Sequence, residues 1–168
     1  MTVTLPPNST APAPKLQPTG WLRYLSFSVD HKVIGLQYLV CGFVFYLIGG
    51  ALAGAIRTEL ASPVADFMAR DVYNQVLTLH GTVMIFLWIV PVVNGAFGNY
   101  LIPFYVGARD MAFPRLNAVA FWLIPPAGLM LVASYFITGA AQSGWTAYPP
   151  LSITTPATGQ IIWIISVL

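Results

Sequence analysis

From Val33 to Ile56 the chain runs 24 residues without a Lys, Arg, Asp or Glu. As a helix rising about 1.5 Å per residue, such a run reaches about 36 Å, enough to cross a ~30 Å hydrocarbon layer with some tilt. A second charge-free gap extends from Val72 to Ala108 and is apolar from about Gln75 to Pro103. A third opens at Leu116 and holds no acidic or basic side chain up to Leu168. Its middle, GAAQSGWTAYPPLSITTPA from Gly139 to Ala157, has the Gly, Ser and Pro content of a loop and divides it. The pattern predicts an all-α integral membrane chain with spans at about 33–56, 75–103 and 117–138. A fourth begins at about Thr158 and is cut short in the apolar run GQIIWIISVL. On this reading the sequence is a piece of a larger helical bundle, with residues 21–168 forming its membrane part.

Charged residues make up 7% of the chain and hydrophobic ones 57%. A soluble domain carries roughly 25% charge, and disorder or nucleic-acid binding needs more charge still. The lone Cys41 excludes an internal disulfide. Lys15, Arg23, Lys32, Arg109 and Arg115 fall on one side of the spans, and Arg57 and Arg70 on the other. Positive charge is retained on the cytoplasmic face, so the N-terminus is expected there. Residues 1–20, rich in Pro, Thr and Ala, read as a disordered cytoplasmic tail without a signal peptide's apolar core.

Polar side chains inside the spans demand partners and so carry the functional information. His80 lies about 8 Å inside span two by this count, beside Gly81 and a bulky run MIFLW. Its imidazole could ligate a metal or haem through one nitrogen while a hydrogen bond fixes the other. It could equally pair with a backbone carbonyl of another helix. Asp110, near the inner face, could gather protons or pair with Arg109 or Arg115. Asn99 and Asn117 lie near it in depth, and their amides could hold ordered water or bond helix to helix. Arg57 closes span one at about the depth of His80, placed to snorkel or to bond a cofactor's oxygen atoms. Trp145 and Tyr148 read as interfacial aromatics.

The strings DHKVIGLQY, IRTEL, YNQVLTLHGTVMIFLW, FGNYLIPFYVGARDMAFPRLN and GWTAYPPL occur in that order between about Val29 and Leu151. In these the chain resembles subunit I of the haem–copper oxygen reductases. The resemblance implies that His80 is an axial ligand of the low-spin haem iron, that Arg57 contacts that haem's edge and that Tyr73 lies near its propionates. Trp145 is similar to the tryptophan that bonds a propionate of the high-spin haem. Asp110 matches the aspartate that opens a proton-uptake path, Asn99 and Asn117 match amides lining it, and Tyr38 and His31 resemble residues near its mouth.

Further implications are haem of the a type, copper held by residues outside this stretch, and subunits II and III as partners in a bacterial or other respiratory membrane. Cytochrome c is the expected donor and O2 the acceptor, with no activity expected from this stretch alone. Three features depart from the family's common pattern. Ala118 replaces a second amide after Asn117, Arg109 stands where cytochrome c oxidases often have Pro, and the GARD string also occurs in quinol oxidases. Ile48, Leu52 and Val72, however, stand where quinol oxidases carry polar residues. The rivals are a quinol oxidase of the same family and a small non-enzymatic channel or assembly subunit.

Overall fold

A computed structural model describes residues 20–64 and 67–168, all helix, turn and loop with no strand among them. The expected tail, apart from Gly20, lies outside the described residues. Three helices are long and apolar enough to cross a bilayer: α1 (His31–Glu59), α2 (Arg70–Val106) and α3 (Pro114–Ile137). They are followed by a one-turn helix, Leu151–Thr154, and by α4 (Ala157–Val167).

Helix α1 starts where Asp30, its N-cap, accepts a hydrogen bond from the Lys32 N–H at 2.9 Å. A short 3₁₀ lead-in, Gly20–Leu25, is drawn onto its first turns by Gln37, whose Nε2 donates to the Tyr24 and Ser26 carbonyls at 2.9 and 3.0 Å. Helix α2 begins at Arg70, five residues before the apolar stretch that predicts it. A polar first turn such as Arg70 and Asp71 carries no hydropathy signal, so the apolar stretch alone starts the helix late. The middle of α2 is wound wide, as π-helix over Val83–Ile89 and again over Pro91–Phe97. The junction falls at Pro91, which has no N–H to give to the regular ladder. Gly107, at φ 73°, closes α2 in the left-handed conformation, and the Ala108 N–H bonds the Pro103 carbonyl at 2.9 Å.

The antiparallel pair α1–α2 is set by a glycine every seven residues. A β-carbon at Gly35 would lie 3.1 Å from the Ala96 carbonyl oxygen, one at Gly42 2.7 Å from Val92 Cγ2, and one at Gly49 2.5 Å from Met84 Sδ. Seven residues return to one helical face, and small side chains along it let backbones approach closely. Around this seam lie two buried clusters. Phe45, Leu79, Val83, Leu87 and Leu131 form one, and Ile34, Tyr38, Ala96, Ala118 and Phe121 the other. Both join α1, α2 and α3.

Candidate functional site

The sequence-predicted residues gather at the two ends of the bundle. At the end holding the C-terminus of α1, His80 is half-buried, and its Nδ1 lies 3.0 Å from the Gly49 carbonyl oxygen. A carbonyl can only accept, so Nδ1 carries a proton, and in the neutral ring Nε2 then holds the lone pair. No hydrogen bond among the described residues engages Nε2. The tautomer is therefore the one an axial ligand requires, with the imidazole fixed from behind and a free nitrogen in front. Glycine at position 49 lets α2 come near enough for the ring to reach backbone.

Arg57 and His80 do not share a level, although the sequence suggests they do. His80 is the tenth residue after Arg70, and Gly49 the tenth before Glu59. Their bond therefore lies about 15 Å from either helix end. Arg57, exposed in the last turn of α1, stands eight residues above Gly49. It is about 12 Å nearer the surface, not level with His80. Tyr73, half-buried in the first turn of α2, precedes His80 by seven residues and so shares its helical face.

Trp145 is held against this site by its loop. Its Cδ1 would be 3.1 Å from a β-carbon on Gly81, the residue after His80. Its ring packs edge-on to Phe86 with centroids 6.2 Å apart. Gln75 Oε1 accepts from the Ala140 N–H at 3.0 Å, and Thr78 Oγ1 from the Gly144 N–H at 2.9 Å. Ser143 Oγ donates to Gln160 Oε1 at 2.8 Å, and Trp163 Nε1 to Thr82 Oγ1 at 2.8 Å. Sequence reasoning overlooked these anchors. The visible signal was two threonines, Thr78 and Thr82, one turn apart in an apolar run on either side of His80.

At the opposite end, His31, Asn99 and Asn117 meet as one hydrogen-bonded group. His31 Nδ1 lies 2.9 Å from the Asn99 carbonyl oxygen, Asn99 Nδ2 donates to the Gly95 carbonyl at 2.7 Å, and Asn117 Nδ2 donates to Asn99 Oδ1. Tyr38 lies beside this group without joining its hydrogen bonds. Its ring packs on Gly95 and, edge-on, on Phe121 at 5.1 Å.

Asp110 is exposed in the α2–α3 loop and accepts from the Met111 N–H at 2.8 Å. It forms no ion pair with Arg109 or Arg115; among the described residues the ion pair present is Arg23–Asp30. Two clefts are lined by its chain neighbours, though not by Asp110 itself. One of about 250 Å³ leads along Met111 and Phe113 to Asn117, and one of about 560 Å³ runs from Arg109 to His31. An exposed carboxylate without an ion-pair partner among the described residues can exchange protons with water.

The family described as Cytochrome C and Quinol oxidase polypeptide I matches residues 33–168. The chain is 62% identical over 148 residues to a protein named cytochrome c oxidase subunit 1 from Thermostichus vulcanus, covering 88% of the chain and 27% of that relative. It is 58% identical over 161 residues to the protein of the same name from Synechocystis, covering 96% and 28%. A third of that name, from Corynebacterium efficiens, is 42% identical over 160 residues, covering 90% and 27%. The chain thus spans about a quarter of the length of the curated relatives it matches.

Proposed function

We propose, on the premise that the chain belongs to the cytochrome c and quinol oxidase polypeptide I family, that it works within the catalytic subunit of a terminal respiratory oxidase. That enzyme takes electrons from cytochrome c, reduces O2 to water and moves protons across a bacterial membrane, with the N-terminus of this chain in the cytoplasm. Subunits II and III and the remainder of subunit I complete it, and a-type haem with copper supplies its redox chemistry.

The chain's own residues do two things. His80 presents Nε2 to the low-spin haem iron while its Nδ1 proton is held by the Gly49 carbonyl. That second bond fixes the ring plane and raises the basicity of the ligating nitrogen. Arg57 and Tyr73, nearer the surface, are assigned to the periphery of that haem, and Trp145 to a propionate of the high-spin one. At the opposite end Asp110 takes protons from bulk water and passes them toward Asn117, Asn99 and His31, with Tyr38 packed alongside. Carrying one charge across the bilayer against 100 mV stores about 2.3 kcal/mol, so separating the sites of electron and proton arrival is how energy is conserved.

The single observation that carries this reading is the free Nε2 of a half-buried imidazole whose other nitrogen is already bonded. Cytochrome c rather than quinol is favoured because Ile48 and Leu52, two of the positions where a quinol enzyme would carry polar groups, pack against the apolar core. In the full complex, His80→Ala should abolish low-spin haem absorption. Asp110→Asn should keep the spectrum and melting temperature while slowing cytochrome c oxidation at least tenfold and abolishing pumping. An unchanged spectrum in His80→Ala, or wild-type turnover in Asp110→Asn, refutes the corresponding assignment.

A further inference from the structure

The Trp145 indole sits on a loop, and α2 dictates where that loop lies. Gln75, Thr78 and Gly81 follow one another at intervals of three residues, so they form a nearly continuous row on the helix surface. The loop meets this row in order. Gln75 Oε1 takes the Ala140 N–H at 3.0 Å, Thr78 Oγ1 takes the Gly144 N–H at 2.9 Å, and Gly81 lies against Trp145. Of these contacts, the bond to Thr78 falls on the residue directly before the indole.

Thr78 is fully buried. Its one hydroxyl hydrogen is committed to the Asn74 carbonyl at 2.7 Å, which leaves the oxygen's lone pairs for the loop. A threonine in a helix has few rotamers, so the acceptor is held in one place. Gly144 stands at φ 74°, a left-handed conformation that a side chain would strain. A hydrogen bond on this residue therefore fixes the direction in which the chain leaves toward Trp145. At position 81 the lack of a side chain lets the ring close to contact, since a β-carbon there would lie 3.1 Å from Trp145 Cδ1. Trp145 Nε1 makes no hydrogen bond among the described residues; the indole N–H that has one is that of Trp163.

We infer that Thr78 is the positioning residue for Trp145, its hydroxyl acting through Gly144 to hold the indole N–H for a propionate to accept. The inference rests on the assignment of Trp145 to a propionate of the high-spin haem, and adds the residue through which α2 sets that contact. A donor N–H draws negative charge from a carboxylate. Without it more charge stays beside the iron, which favours the oxidised state and lowers the midpoint potential.

The test is a spectroelectrochemical titration of both haems in the full complex. Trp145→Phe should lower the high-spin midpoint and leave the low-spin one in place. Thr78→Val, which keeps the shape and loses the acceptor, should shift it in the same direction, and Thr78→Ser should return it to the wild-type value. Thr78→Ala loses the hydroxyl with less bulk and should match Thr78→Val, which covers a Val variant that fails to assemble. Trp145→Phe combined with Thr78→Val should shift no further than Trp145→Phe alone, because Thr78 acts only through the indole. A high-spin potential that moves in Trp145→Phe and stays put in Thr78→Val and Thr78→Ala overturns the inference. So does strict additivity of the two shifts, or a Thr78→Ser variant that is not restored. A lowered melting temperature with no change in potential is the signature of a merely structural threonine and has the same consequence. An unmoved potential in Trp145→Phe refutes the assignment of Trp145 itself, and the inference falls with it.

Discussion

Thr82 holds two bonds with one oxygen. Its Oγ1 donates to the Thr78 carbonyl at 2.8 Å and accepts the Trp163 indole N–H at 2.8 Å. Replacing it by Val keeps the shape and strands that N–H in a medium without water, at a cost of about 1–3 kcal/mol. Thr82→Val should therefore lower the melting temperature of the complex measurably, and Thr82→Ser should restore most of the loss; equal melting of all three would show the bond contributes nothing. Residues of this kind mark the boundary of what is legible in the sequence. His80 and Asp110 stand out because an ionisable group within or beside a span is costly and hence conspicuous. Their partners do not. The acceptor for His80 is a carbonyl 31 residues away, and every residue has a carbonyl. Only the approach of two helices selects Gly49. Tyr38 enters the sequence reading only through the family resemblance, and its ring packing on Phe121 is set by the approach of α1 and α3.

Three membrane helices were readable because charge is excluded from hydrocarbon, and that exclusion says nothing about how their backbones meet. Gly35, Gly42 and Gly49 stand at a constant spacing of seven, which could have been read as a seam. The wide turns of α2 could not, beyond the hint of Pro91, because hydropathy does not record which carbonyl an N–H reaches. The seam makes a specific prediction. Gly42 faces Val92, a β-branched side chain with little rotameric freedom. Gly42→Val should cost about 1–3 kcal/mol by overpacking. Val92→Ala in the same chain removes the obstructing methyl and should recover at least half of the lost melting temperature, a coupling expected only of residues in contact. Strict additivity of the two substitutions would mean that α1 and α2 do not meet there.

Across the whole molecule the two functional groups are separated by nearly a bilayer. His31 and Gly49 are 18 residues apart on α1, about 27 Å along its axis, close to the ~30 Å hydrocarbon thickness. On the proposed function, such a separation would conserve energy only with the Asp110 end facing the compartment from which protons are drawn. Charge supports one orientation, with Arg23, Lys32, Arg109 and Arg115 at the Asp110 end against Arg57 and Arg70 at the other. Ser62 and Ala108 are exposed in the loops at opposite ends. In the full complex carrying Cys41→Ala, a cysteine placed at Ser62 should react with a membrane-impermeant maleimide added to intact cells. One placed at Ala108 should react only after permeabilisation. The reverse pattern would put the carboxylate on the wrong side of the potential, and protons taken up there would dissipate the gradient that electron transfer builds.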